Sequence, residues 1–204
     1  MQDNKDTKKK ILEGAFRLFL QKNYEKVTIV DIEKSVNLTR GAIFYHTRNK
    51  EELFIEVINT YIINTHDTIQ KFKFDTNCTL KEFIDNYILS IHETMNKIRS
   101  FGIENVHQCY FSLIYQALKY YPEFGQLLTE TFRKDYELWY SVVLKAYTSQ
   151  EIKQDLVIES VAKQFRYIYS GLSFEHSLTH GLDITALRQL YYDVYNQIKN
   201  VNDN

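Results

Sequence analysis

The sequence is poor in the residues that break regular structure, with one proline and six glycines in 204 residues. A sandwich of short strands needs a turn residue about every ten positions, so that architecture is excluded. Collagen-like and proline-rich classes are excluded on the same ground. Only two cysteines occur, Cys78 and Cys109, too few and too far apart for a disulfide framework or a metal-binding spacing. A reduced, intracellular setting is expected. No apolar run approaches the roughly 20 residues needed to cross a bilayer. The segment from Met1 to Lys10 is polar and charged, unlike a secretory signal. A cytoplasmic chain with no membrane partner is therefore expected.

What is present is 44% hydrophobic residues and an unusual load of aromatics, 16 Tyr and 13 Phe. A chain of this length buries about 70% of its unfolded surface, enough for a core without covalent staples. The net charge of −1 hides an asymmetry. Residues 1–50 carry eleven Lys and Arg against six acids, a net of +5, whereas the rest of the chain carries −6. A basic head on an acidic body points to a polyanionic partner for the head alone, although a plain solvated surface gives the same count.

Periodicity is helical throughout, and no strand pattern competes with it. Ile11, Leu12, Ala15, Phe16 and Phe19 mark a first helix, about 7–22, with Asn23 as its left-handed stop. Thr28 and Asp31 form a capping box for a short helix, which Asn37 ends. Thr39 caps a two-turn helix to His46. Asn49 with Glu52 opens a long helix to about Phe72, its stripe including Ile69, and Lys73–Cys78 reads as a loop. Further helices follow from Thr79 to a break at Ser100–Gly102, from Ile103 to Leu118, from Pro122 to Ala146, from Leu156 to Leu178, and after Gly181 to Ile198. The fold is expected to be all-α with about nine helices.

Residues 27–46 read as helix, turn, helix, and this constellation carries the chemistry. A reader of DNA places the N-terminal end of a short second helix in the major groove. That tip needs small or polar residues so that the backbone can approach, and Thr39, Arg40, Gly41 and Ala42 supply them. Arg40 suits a guanine edge or a phosphate. Gly41 costs ~1 kcal/mol against Ala in a helix, which asks for a reason such as close approach. Tyr45 and His46 fall where the phosphate backbone would pass. Lys50, at a helix start, suits a phosphate.

The stretch from Ile11 to Phe54 resembles the N-terminal domain of the tetracycline-repressor (TetR) family of transcriptional regulators. The matching elements are Ala15, Leu18 and Phe19, then Tyr24, then Thr28, Asp31 and Ile32, then Gly41 with Ile43, and the run Lys50–Leu53. The family usually has Gly where this chain has Asn23 and Asn37, and Tyr and Phe where it has Phe44 and Thr47. Thr47 is expected to leave a gap in the head's core. The resemblance implies a DNA-binding domain at 1–50 and an effector-binding and dimerisation domain at 51–204. It implies a repressor that binds a palindromic double-stranded DNA operator as a homodimer and is released by a small-molecule effector. The mates would meet through helices near 155–179 and 183–200. The DNA contacts then assigned are Thr28, Thr39, Arg40, Gly41, Tyr45, His46 and Lys50, and the effector pocket Tyr87, His92, His107, Tyr110, Phe111 and Trp139.

A competing reading is a helical metal-binding enzyme or ligand carrier without DNA recognition. Glu104 and His107 match half of a di-iron motif, but no second such pair exists. His176 and His180 stand four apart as a chelating pair, without a third ligand. His92 and His107 fall on apolar stripes as core or pocket residues. No nucleophile elbow, phosphate loop or dinucleotide fingerprint occurs, so neither an enzyme nor a cofactor or metal is expected.

Overall fold

The computed structural model describes residues 2–64 and 78–200. Among them are nine α-helices: α1 (Gln2–Gln21), α2 (Ile29–Val36), α3 (Arg40–His46), α4 (Lys50–Ile58), α5 (Leu80–Arg99), α6 (Val106–Tyr120), α7 (Phe124–Thr148), α8 (Ile158–Ser177) and α9 (Ile184–Ile198). No strand forms among the described residues, where one isolated bridge pairs Ile152 with Lys199. Two compact units result. The first holds residues 2–64 with 109–128, the second 78–108 with 129–200. The first therefore reaches past the boundary expected at residue 50, because α4 packs on α1 and part of α6 joins the head.

In the first unit, α1 buries Ile11, Leu12, Ala15, Phe16 and Phe19. Phe19 meets Phe54 edge-on at 5.0 Å, and Phe16 stacks on Tyr61 at 4.3 Å. Helix α1 starts five residues earlier than expected. Its stop also differs, since Asn23 is extended (φ −63°) and not left-handed. Its carbonyl accepts from Lys26 N, closing a 3-10 turn at Tyr24–Lys26 that sets the approach to α2. Asn37 does adopt the left-handed conformation (φ 52°, ψ 53°) and ends α2. The Thr28–Asp31 capping box is closed in both directions. Helix α4 passes into a π-helical turn at Asn59–Ile63. The expected continuation through Ile69 and Phe72, and most of the expected loop at 73–78, lie outside the described residues.

The second unit opens on a second capping box, Thr79 with Glu82. Helix α5 ends before Gly102 (φ +78°), and Gly181 (φ +84°) turns the chain between α8 and α9. Both are backbone states that favour glycine. Ile103 stands outside α6, which begins at Val106. Trp139 of α7 is the hub of the core, with Phe83 and Tyr87 edge-on and Phe165 and Tyr191 stacked on its faces.

Helices α1 and α2 touch where no periodicity announces it. A Cβ on Gly14 would lie 2.3 Å from Val36 Cγ1 and 2.9 Å from Ser35 Oγ. Gly14→Ala should therefore lower stability by about 1–3 kcal/mol, as overpacking does, and Val36→Ala should recover part of the loss in the double variant. Urea unfolding of the four proteins measures both.

The two boxes also set an acid limb. Asp31 and Glu82 accept backbone N–H bonds from Thr28 and Thr79, which hold their pKa values below the ordinary 3.8 and 4.5. Their stabilising effect is full above those ordinary values and disappears as pH falls through the lower, folded ones. The Asp31→Asn, Glu82→Gln double variant should show a flatter fall in stability below about pH 4.5 than the parent.

Candidate nucleic-acid interface and ligand region

Caps position the tip of the head. The Thr39 side chain accepts from Ala42 N at 3.3 Å, and Leu38 N donates back to the Glu33 carbonyl at 3.2 Å. Ile43 is the buried residue of α3. Its neighbours Arg40, Gly41, Phe44 and Tyr45 face solvent, with Tyr45 76% exposed and its ring against His46 at 5.2 Å. A Cβ on Gly41 would meet nothing within 4 Å. Nothing inside the chain requires a glycine there, so the position is open to a body approaching from outside.

Arg40 donates from Nε to Glu33 at 2.9 Å while its side chain stays mostly exposed. Such a surface pair is worth at most about 1 kcal/mol and yields readily to a phosphate or a base. Phe44 lies one turn from Arg40, and Lys34 and Arg48 are exposed nearby in sequence. None of these three was among the contacts expected from sequence. The pairing of exposure with position on α3 finds Phe44, and only solvent exposure finds the two cations.

Two residues of the head make contacts that the sequence did not announce. Lys50 is not a free cation at the surface. Its ammonium donates to the carbonyls of Tyr24 at 2.9 Å and Val27 at 3.1 Å and sits 4.2 Å from the centre of the Tyr24 ring. It clasps the turn before α2 to the start of α4. Thr47 is buried, and its hydroxyl donates to the Asn49 carbonyl at 3.1 Å.

The six expected pocket residues fall in both units. His92 is exposed and bonds Asn96, so it is neither core nor lining. Tyr110 and Phe111 belong to the first unit. Tyr87, His107 and Trp139 are buried in the second. The second unit adds residues that periodicity assigned only to a core or a dimer surface. His107 meets the Tyr169 hydroxyl at 3.3 Å. Tyr87 has the rings of Tyr169 and Tyr191 at 6.1 and 6.0 Å. Asp135 pairs with Arg166 at 3.2 Å, and the Arg166 guanidinium lies 5.1 Å from each of the Phe132 and Tyr167 rings.

Burial pushes the Asp135 carboxyl up to about 6, and Arg166 opposes that rise. Burial, with Arg99 and His176 adding like charge, pushes His107 down to about 4, so its imidazole is neutral at physiological pH. Burial also raises the phenols of Tyr87, Tyr169 and Tyr191, and the Asp135 charge adds to the effect.

The metal alternative gains no support. Glu104 is exposed and precedes α6, while His107 is buried within it. Helix α8 ends at Ser177, so His176 and His180 do not share a helical face, though their rings come within 4.6 Å. His176 Nδ1 already accepts from Asp183 N. No group of three metal-ligating side chains occurs among the described residues. Nor is any helix there long and apolar enough to cross a membrane.

Residues 11–57 match the family of bacterial regulatory proteins described as the tetR family. The head of this chain, by that match, is similar to the N-terminal domain of TetR-family regulators. Among curated relatives, the biofilm operon negative transcriptional regulator IcaR of Staphylococcus epidermidis is 34% identical over 67 residues, covering 29% of this chain and 36% of that one. The transcriptional repressor AcnR of Corynebacterium diphtheriae is 46% identical over 48 residues, covering 24% and 25%. The chain thus spans about a quarter to a third of the length of these curated relatives. Solved structures share the fold over nearly the whole chain. A transcriptional regulator from Saccharomonospora viridis, in complex with choline, superposes with a TM-score of 0.72 at 16% identity, covering 97% of this chain and 100% of that one. A TetR-family regulator from Cytophaga hutchinsonii gives a TM-score of 0.72 at 16% identity, covering 99% of each.

The Lys50 clasp leads to a specific expectation. Lys50→Met should destabilise the protein by about 1–2 kcal/mol, because two carbonyls lose a charged donor. If the head binds DNA, its affinity should change little, with the slope of log affinity against log salt unchanged. A phosphate contact would lower that slope by about one. A salt titration of variant and parent separates the two.

Proposed function

We propose that this chain is a cytoplasmic, homodimeric DNA-binding repressor whose second unit takes a small-molecule effector that releases the operator. The carrying observation is the exposed tip of α3, where a glycine with empty space over it stands between Arg40 and Ala42. In this reading the backbone at Gly41 lies against the major groove. Arg40 leaves Glu33 for a base edge, Phe44 packs on a thymine methyl, and Thr28, Thr39, Tyr45 and His46 hold phosphates. The curated relatives named as repressors and negative regulators support repression as the outcome.

Dimerisation is supported by α8. Ser160, Gln164, Tyr167, Gly171, Phe174 and Leu178 alternate at steps of four and three, and all are exposed. Steps averaging about 3.6 residues keep to one face along a straight helix. A Cβ on Gly171 would meet nothing within 4 Å, so a second helix can approach there, flanked by Tyr167, Phe174 and a Leu178 that is 70% exposed. Leu190 of α9 extends the apolar surface. Two-fold symmetry then calls for a palindromic operator with half-sites about 34–36 Å apart. The choline carried by the S. viridis regulator supports a small organic molecule as the signal.

Selection of random duplexes on the purified protein should recover a palindrome. Arg40→Ala should bind that palindrome about 1–3 kcal/mol more weakly and tolerate changes at the base it reads. Phe174→Glu with Leu178→Glu should give a folded monomer by sedimentation, with DNA affinity lost. Recovery of no enriched duplex, or a dimer that survives both charges, overturns the reading.

A further inference from the structure

Buried polar side-chain atoms without a hydrogen-bond partner are confined, among the described residues, to the second unit. They are His107 Nδ1, Trp139 Nε1, Tyr191 Oη and Arg166 Nε. Arg166 keeps its ion pair with Asp135. The other three residues are at least nine-tenths buried. Trp139 Nε1 and the Tyr191 hydroxyl have the Tyr87 hydroxyl and the Tyr169 backbone nearby, but neither reaches hydrogen-bonding geometry. A buried polar group left unmatched costs about 1–3 kcal/mol, so three of them around one aromatic hub ask for a partner. The indole N–H is a donor only, which requires an acceptor opposite it.

Charge decides the kind of partner. Asp135 already has Arg166, and Arg166 is held between two aromatic rings. The imidazole of His107 is neutral, and the phenols keep their protons. The region therefore offers no uncompensated charge. A permanently charged guest would lose its hydration without gaining a counter-ion, a large penalty in an apolar interior. The surroundings of Trp139 are aromatic, with Phe83, Tyr87, Phe165 and Tyr191 against it, and such surroundings favour a flat guest over a round one.

We propose that the effector is an uncharged, flat molecule bearing a hydrogen-bond acceptor, held at Trp139, Tyr191, Tyr87 and His107, and that the Asp135–Arg166 pair excludes organic cations. This rests on the reading of the second unit as the effector-binding part. The pair works by occupation: while Arg166 holds the carboxylate, no cationic guest can.

Three isosteres test it on the full-length protein: benzamide (uncharged), benzoate (anionic) and benzamidinium (cationic). Trp139 is the chain's sole tryptophan, so its fluorescence reports on the site directly. Thermal unfolding gives a second readout. Benzamide should bind at least tenfold more tightly than either ion. In Arg166→Gln the freed Asp135 should raise benzamidinium affinity at least tenfold relative to benzamide. The Arg166→Gln, Asp135→Asn double variant should restore the parent's preference. A charged probe that binds tightest to the parent overturns the ligand class and leaves the effector-binding reading standing. An Arg166→Gln protein with an unchanged ranking overturns exclusion by the pair. If none of the three moves the tryptophan signal or the unfolding temperature, the site itself is overturned, and the effector role of the second unit with it.

Discussion

The head depends on satisfying the backbone groups that short helices leave open at their ends. Helix α3 has seven residues, too short to hold itself together in water. Its shape is imposed by Thr39 at its start, by Asn37 in the left-handed state before it, and by Ile43 beneath it. The same logic works one step earlier, where the Lys50 ammonium bonds the carbonyls of Tyr24 and Val27. Because Val27 directly precedes the Thr28 cap, that clasp fixes the direction in which α2 departs and thus where α3 points. In the proposed reading, recognition of DNA would therefore rest on the turn geometry that this internal ammonium sets as much as on the cations that touch the duplex.

The two units solve opposite problems. The described residues of the first gather rings into a core with its polar atoms paired, leaving the exposed chemistry on α3. The second draws polar atoms inward among the stacked rings of Trp139, Phe165 and Tyr191. A carboxylate there survives because a guanidinium meets it, and a histidine survives by staying neutral. Under the proposal made for this unit, a guest would be held by matching hydrogen bonds and selected by what the buried ion pair refuses.

Local patterns were legible where the physics is local. The capping box at Thr28, the helix start at Thr79, the left-handed Asn37 and the stops at Gly102 and Gly181 each involve neighbours within a turn, so residue type is sufficient. Asn23 shows the limit. The same residue type stands at a helix end, yet the 3-10 turn at Tyr24–Lys26 needs it extended. Periodicity gives a face but not its edges, which is why His92, one step from buried Ile91, turns out to face solvent. Tyr110 and Phe111 follow His107 closely in the chain but belong to the other unit, a division that no pattern in their own helix announces.

The amino-acid order alone determined an all-helical chain, the positions of most helices and the tip that α3 presents, because capping and amphipathic spacing act over three or four residues. Tertiary structure decided that Lys50 serves the fold, that Gly14 lets α1 rest on α2, and that Asp135 and Arg166 neutralise one another. Those outcomes depend on which distant segments meet, and burial then sets the cost of every charge and every unpaired donor at the meeting point.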